Sequence, residues 1–381
     1  MTPTRGNGPS PKSARRSSAV TDLVQLTASA ADHLTNLDFE AWHFGDSIAF
    51  EGILAAATQL QRPELTGFAH GFVRAWKAGR GTSFRRLDCT APGLAICDLY
   101  RDTGDEKLLD AALELGHYLR GRPQLRGVFT TWDQSPLREP YGPEKLGEAD
   151  RALLADPGPG VFIDCLHFDP PFFAALGNIS RERSWTDLAV EQAQGYIDML
   201  QDSDTGLFHH FYLQGTGSPH ILGWGRGQGW ALLGLLDTVE RAQEHPGIES
   251  LRRSARDLVA AMVGTQQPGG GWNAVVHAPD SGTESSTSAF MAVGLRRARD
   301  LGLVEASVAE PAIATARCDL AANLSTDGVL RDVSAAVWAS TLDSHYHHVP
   351  KGYVVPWGQG PAVLALLEWS HEQRPEQAGH V

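Results

Sequence analysis

Four cysteines in 381 residues are too few and too scattered to staple a fold. Cys89, Cys97, Cys165 and Cys318 form no CxxC pair and show no zinc spacing, which argues against a disulfide framework or a zinc site. Reduced, buried thiols and a cytoplasmic location are expected instead. Long apolar runs are also missing, and none approaches the roughly 20 residues that a membrane helix needs. Basic residues are in deficit, with 32 Lys and Arg against 45 Asp and Glu and a formal charge of −13. Repulsion on that scale disfavours nucleic acid, anionic membrane and long polyanionic polysaccharide as partners. A small anionic oligosaccharide held locally by Arg, His or Lys is compatible with it. Strand-like alternation is thin, for example at 208–213 and 328–333, which read as short hairpins in loops. Residues 1–20 are rich in Ser, Pro, Arg and Lys, lack an apolar h-region, and read as a disordered tail rather than a secretory signal.

Helical periodicity is abundant, and it comes in pairs. Leu108, Ala112, Leu115 and Leu119 repeat at i, i+4, i+7 and i+11, and Leu251, Ala255, Leu258 and Met262 keep the same spacing. Their opposite faces are charged, as on helices with one side in water. Six outer helices are predicted at about 19–34, 63–79, 105–121, 181–201, 248–266 and 305–324. Six segments apolar nearly all round open near Asp46, Ala91, Asp164, Arg226, Glu284 and Gly358, each from a loop with Gly, Pro or Trp. The implied fold is all-α, an (α/α)6 barrel: a double toroid of six inner and six outer helices in one domain over 21–375. A superhelical solenoid would pair helices similarly. The chemistry-bearing loops, however, all precede inner helices, as convergence at one mouth of a ring requires. The Pro-rich stretch at 121–160 is too long for a plain connection and is expected to form a partial lid.

The strongest chemical signal is Gly223-Trp224-Gly225-Arg226-Gly227-Gln228-Gly229-Trp230. Gly lets backbone approach a ligand, Trp offers a stacking face for a sugar, and Arg a planar fork for a carboxylate. Before it come Trp42-His43-Phe44-Gly45-Asp46, then Leu87-Asp88-Cys89-Thr90-Ala91-Pro92-Gly93, then Ile163-Asp164-Cys165-Leu166-His167-Phe168, then Thr205-Gly206-Leu207-Phe208-His209-His210. After it come Thr283-Glu284-Ser285-Ser286 and Pro356-Trp357-Gly358-Gln359-Gly360. This ordered set, from about Trp42 to Trp369, resembles the unsaturated glucuronyl and rhamnogalacturonyl hydrolases, glycoside hydrolase families 88 and 105. The most specific pieces are the Trp224–Trp230 segment, Asp164 with Pro171 seven residues on, and the turn ending in His209-His210.

The resemblance implies a glycosidase that releases a Δ4,5-unsaturated uronic acid from the non-reducing end of lyase-generated oligosaccharides, with no cofactor and no metal. It implies Asp164 as the essential acid, Asp88 as a second carboxylate, and His210, Trp224 and Arg226 in the sugar site. Trp42, Gln228 and His348 complete the expected substrate contacts. The chain departs from the family after the aspartate, where a small or apolar residue and Met are common and His167, Phe168 and Asp169 stand here. The chemistry is coherent with this implication. The unsaturated ring is an enol ether, so protonation at C4 leaves an oxocarbenium ion at C5 that water can attack. The acid must be neutral when substrate binds, although a free Asp titrates near 4. Apolar neighbours (Phe162, Ile163, Leu166, Phe168) and a nearby charge on Asp88 are expected to favour the neutral form.

Plainer roles compete for each residue. Asp164 and Asp88 suit helix N-caps, Trp42 and Trp224 suit the core, and Arg226 suits a rim ion pair. His345, His347 and His348 are the densest histidine cluster, but Tyr346 and Pro350 mark a loop. A substrate-facing His347 or His348 is therefore preferred over a metal site. Lys351 beside them suits either a uronate carboxylate or open solvent. Two other classes share these features. One is a different toroid sugar enzyme, either an inverting glycosidase or an epimerase with His210 and His348 as paired bases. The other is a non-catalytic saccharide-binding protein of the same fold.

Overall fold

The computed structural model describes residues 11–39 and 42–373, with side chains from Asp22 onward. The outer helices are α1 (Pro11–Thr35), α3 (Pro63–Arg80), α5 (Glu106–Arg120), α8 (Arg183–Leu200), α10 (Ile248–Thr265) and α12 (Ala306–Asn323). The inner helices are α2 (Asp46–Gln59), α4 (Gly93–Thr103), α7 (Cys165–Ser180), α9 (Gly225–Arg241), α11 (Ser285–Asp300) and α14 (Pro356–Gln373). Consecutive inner helices pack on one another and α14 packs on α2, while α1 lies against α14, so the ring returns to its start. Of the tail expected over 1–20, residues 1–10 lie outside the described residues, and the backbone is helical from Pro11.

Burial separates the two layers as the periodicities require. Helix α5 buries Leu108, Ala111, Ala112, Leu115, Gly116 and Leu119, a single stripe. Helices α10 and α12 bury the same spacing, from Leu251 to Met262 and from Ala309 to Leu320. Helix α9, by contrast, is buried continuously from Gly225 to Val239, because outer helices and ring neighbours cover it on every side.

The outer layer is stapled around its circumference. Turns after α8, α10 and α12 carry Gly206, Gly270 and Gly328, all with positive φ, and each packs on the next outer helix. Gly206 meets Asp257 of α10, Gly270 meets Thr315 of α12, and Gly328 meets Leu26 and Ala30 of α1. The last of these joins the end of the layer to its beginning. Gln201 and Gln266, at the ends of α8 and α10, donate from Nε2 to the Gly206 and Gly270 carbonyls at 3.0 and 2.8 Å. The same amides donate to Ser254 O and Ala312 O of the next outer helix at 3.2 and 3.0 Å.

Two helices fall outside the alternation, α6 (Glu148–Ala155) and α13 (Asp343–His347), and both sit in long segments that precede inner helices. A hairpin pairs β1 (Gln124–Leu125) with β2 (Val128–Phe129). An antiparallel sheet orders β3 (Gly160–Phe162), β4 (His209–Leu213) and β5 (Ser218–Leu222), with Phe162 opposite Phe211 and His209 opposite Leu222. The hairpin expected at 208–213 is therefore present, whereas 328–333 contributes one isolated bridge between Leu324 and Leu330. All four thiols are free. Cys89, Cys97 and Cys165 are buried, but Cys318 is exposed, on the solvent side of the amphipathic α12. Among the described residues no helix is long and apolar enough to cross a membrane.

Gly270→Ala is expected to destabilise strongly. It puts a side chain at φ +93°, with its Cβ 2.1 Å from the Thr315 carbonyl oxygen. A loss of at least about 2 kcal/mol is expected. Gly264→Ala, where the added methyl meets nothing within 4 Å, should hold or gain up to about 1 kcal/mol of stability. Urea unfolding of both variants checks the pair.

Candidate active site

The segments that enter five of the six inner helices, all but α11, line one cavity of about 210 Å³. The segment before α2 supplies His43 and Phe44, that before α4 Leu87 and Thr90, and that before α7 Thr131, Trp132, Pro136, Phe162 and Asp164. His210 and Trp224 come from the sheet leading to α9, and Ala336, Val337 and Trp338 from the loop before α14. The three-stranded sheet explains the grouping. β3 runs into Asp164, β4 carries His210, β5 runs into Trp224, and the Ile163 N–H donates to His210 O at 2.9 Å.

Asp164 stands at the N-cap of α7 yet makes no capping bond with its side chain. Its carboxylate faces the cavity, 3.6 Å from His210 Nε2. On the other side of the imidazole, Nδ1 lies 2.6 Å from the Tyr346 hydroxyl. The imidazole is thus flanked on its two nitrogens by the Tyr346 hydroxyl and the Asp164 carboxylate. Burial lowers the His210 pKa below its ordinary value and outweighs Asp164, which pulls the other way. His210 is therefore neutral at neutral pH. Trp224 packs 4.2 Å from its ring.

Among the expected site residues, Asp164, His210 and Trp224 come together in the cavity. The others do not. Asp88 is buried elsewhere: Oδ1 accepts from Trp76 Nε1 at 2.9 Å and Oδ2 from the Arg85 N–H at 2.5 Å, capping a short 3-10 turn. It lines a second cavity with Trp42, whose indole packs on Phe50, Phe72 and Trp76. The pair of neighbouring carboxylates expected from the sequence is thus absent from the Asp164 cavity. Gln228 clamps backbone, accepting from Phe208 N–H at 2.8 Å and donating to Phe208 O and Trp224 O at 2.9 and 3.1 Å. His348 is exposed and bonds to Ser344 O. Lys351 donates to Thr283 O. Tyr346, just before the favoured His347 and His348, is the member of that cluster that reaches His210. His43 and Phe44 adjoin Trp42 in sequence, but which of three consecutive loop residues faces inward depends on backbone turns that no periodicity reports.

Arg226 is the largest correction. Its guanidinium is fully buried, and Nη1 donates to Ser334 Oγ at 2.7 Å, Ser286 Oγ at 3.3 Å and Glu284 Oε1 at 3.4 Å, while Nη2 donates to Ala335 O at 3.3 Å. Burial alone would raise the Glu284 carboxyl, but Arg226 and donors from Ser286, Ser334 and Thr287 hold it below its usual range. The fork therefore anchors the loop that forms one cavity wall instead of gripping a substrate carboxylate.

The departures after Asp164 are absorbed inside the ring. Asp169 pairs with Arg122, and His167 Nε2 lies 3.0 Å from Glu51 Oε1. Burial would lower His167, yet Glu51 outweighs it and holds the ring above its ordinary value. Among the described residues, Glu51, His167 and Asp237 are the one group close enough to share a metal ion. Arg297 already takes both Asp237 oxygens, at 2.7 and 3.3 Å, so protein cations answer the negative charge there.

Two variants test these assignments. Arg226→Met strands the buried Glu284 and should cost roughly 3–5 kcal/mol of stability, much of it recovered by adding Glu284→Leu. A substrate-gripping Arg226 would leave stability unchanged. Asp46 accepts from the His43 N–H at 2.8 Å, and burial raises its carboxyl from 3.8 to about 7. Between those values only the folded state keeps the proton, so this group's contribution to stability falls as pH rises from about 4 to about 7. Asp46→Asn cannot ionise, so its melting temperature should exceed that of the parent at pH 8 and match it near pH 4.

The chain is similar in sequence and in fold to known proteins. The sequence profile of Glycosyl Hydrolase Family 88 matches residues 18–372. The unsaturated rhamnogalacturonyl hydrolase YesR of Bacillus subtilis is 25% identical over 335 residues, covering 87% of this chain and 90% of its own length. A Salmonella enterica protein described as a possible GH105 member superposes with a TM-score of 0.77 at 19% identity, covering 93% of this chain and 94% of its own. The unsaturated glucuronyl hydrolase of Bacillus sp. GL1 superposes with a TM-score of 0.63 at 17% identity, covering 93% and 96%. Those superpositions are of (α/α)6 proteins, and with a profile match spanning both helical layers and the cavity loops, this chain belongs to glycosyl hydrolase family 88.

Proposed function

We propose that the chain hydrolyses oligosaccharides that end in a Δ4,5-unsaturated uronic acid, releasing that sugar by hydration of its enol ether. The observation that carries the reading is Asp164: a helix-entry carboxylate without a capping bond, facing a cavity beside neutral His210 and Trp224. Asp164, neutral in the productive complex, gives its proton to C4, and the C4–C5 π pair forms the new C–H bond. The positive charge left at C5 is shared with the ring oxygen. Water attacks C5 while the Asp164 carboxylate takes its proton, which restores the acid. The C5 hemiketal then opens to a ketone, and the hemiacetal left at C1 expels the aglycone.

Asp88 lies outside this cavity, held by Trp76 and the Arg85 N–H. His210, held through Tyr346, sets its Nε2 beside Asp164 and steadies the carboxylate after proton delivery. Arg226 and Gln228 act through the walls they hold, and Trp224 offers its face to the sugar. The 121–160 stretch serves as a fixed partial lid through Thr131, Trp132 and Pro136, and residues 21–375 act as one catalytic domain. Four free thiols fit a cytoplasmic enzyme. The epimerase alternative loses its His210–His348 pair, since His348 lies on the surface.

The purified protein should bleach the ultraviolet absorbance of an unsaturated uronyl disaccharide, with chelator present. Asp164→Asn keeps the shape but cannot donate to C4, so kcat should fall at least about 10²-fold with little change in melting temperature. Turnover of saturated glycosides alone, or a fully active Asp164→Asn, would sink the assignment. Tyr346→Phe removes the partner that orients His210 and should lower kcat by roughly 10- to 100-fold with KM nearly unchanged.

A further inference from the structure

We propose that Trp338 is the stacking platform for the sugar that follows the scissile bond, and that the apolar mouth around it selects a neutral sugar ring there over a charged one. The proposal rests on the functional reading above and adds a specificity residue to it.

Trp338 is 45% exposed, on the cavity lining, and its φ is +57°. A bulky residue in the left-handed region is strained, and such strain persists only where the surroundings over-determine the backbone. Here they do. Ser334 and Ala335 are held by Arg226, with Glu284 accepting from the Ser334 N–H at 3.0 Å. The Val337 carbonyl accepts from His345 Nε2 at 2.8 Å, and the Ala339 carbonyl accepts from the Arg138 N–H at 3.0 Å. His345 in turn accepts the Tyr141 N–H at Nδ1, at 3.0 Å, and burial lowers its pKa to about 4, so it stays neutral and keeps both bonds. Both neighbours of Trp338 are thus fixed while its indole is left half in water. Neither core packing nor backbone preference accounts for a tryptophan there.

The surroundings say what the face is for. Asp164, His210 and Trp224 adjoin one another in the cavity; Leu87, Trp132, Pro136 and Trp338 line it too, and the Leu137–Ala339 bridge sets Pro136 near Trp338. Leu87 is 40% exposed, so two large apolar side chains of the cavity lining stand open to solvent. Among the described residues no Lys or Arg lines the cavity; the nearby Arg86 guanidinium stacks 4.3 Å over Trp132 and donates to Gln134 O at 3.2 Å. An aromatic face with apolar neighbours suits the C–H face of a neutral sugar. A sulfate or carboxylate entering there would lose water and find no cation.

Three substrates with one unsaturated uronyl group test this: its methyl glycoside, a disaccharide with a neutral hexose, and a disaccharide with a sulfated hexosamine. The wild-type kcat/KM should favour the neutral over the sulfated disaccharide at least 10-fold. Asn tolerates left-handed backbone and has no stacking face. Trp338→Asn should therefore lower kcat/KM on the neutral disaccharide about 10-fold more than on the methyl glycoside, chiefly through KM, with no drop in melting temperature. Trp338→Tyr should retain most of the wild-type value. Equal losses on the methyl glycoside and the disaccharide, no loss on either, or a large fall in melting temperature would overturn the platform. Equal wild-type turnover of the two disaccharides would overturn the selectivity. A wild-type protein inert on all three would instead overturn the functional reading and this proposal with it.

Discussion

Helix α9 approaches α7 so closely at Gly234 that a Cβ there would stand 2.3 Å from the Leu166 carbonyl oxygen. Pro170, four residues beyond Leu166, has no N–H to bond that carbonyl, so α7 meets α9 with an acceptor its own helix does not use. No residue but glycine fits the gap. The approach sets the spacing of two inner-helix N-termini, from which Asp164 and Trp224 extend. The sheet strands feeding those termini then have a defined register, and His210 on the middle strand falls between the two.

The electrostatics follow from the same packing. Although the chain carries −13 overall, the cavity lies at the N-terminal ends of the inner helices, where backbone N–H groups and helix dipoles favour an anion. Permanent side-chain charges are used inside the wall. Arg226 binds the Glu284 carboxylate and the Ser334–Ala335 backbone, and Arg297 binds Asp237, linking α11 to α9. Arg241 of α9 lies 3.4 Å from Asp98 of α4, across the ring. These pairs hold segments in position, and Asp164, backed by His210 and Tyr346, is left to face the cavity.

The twelve alternating helices and most of their boundaries were legible because each layer has its own burial period, and burial by layer is written directly into apolar spacing; α6 and α13 lie outside that alternation and were not. Asp164, His210 and Trp224 were legible because each stands in a loop that runs into an inner helix. Asp88, Trp42, Arg226, Gln228 and His348 stand in or near similar loops, yet their side chains turn elsewhere. The periodicity that places a residue on a helix face stops at the helix end. Beyond it, direction is set by individual turns and by which buried partner a polar group finds.

The sequence by itself determined the fold class, since one-sided and all-round apolar periods leave two concentric helical layers as the way to bury both. It also pointed to loops that line the cavity, those holding Asp164, His210 and Trp224. Only the tertiary structure decided which charged groups face the cavity. Arg226 and Asp88 found partners within the protein because a buried charge must be paired, and those partners, Glu284 and Trp76, lie 58 and 12 residues away in the chain. Tyr346 entered the site for the converse reason: its hydroxyl, buried by a loop between α12 and α14, needed His210 as a partner. Pairings of that kind depend on distances across the ring, which no local pattern of residues contains.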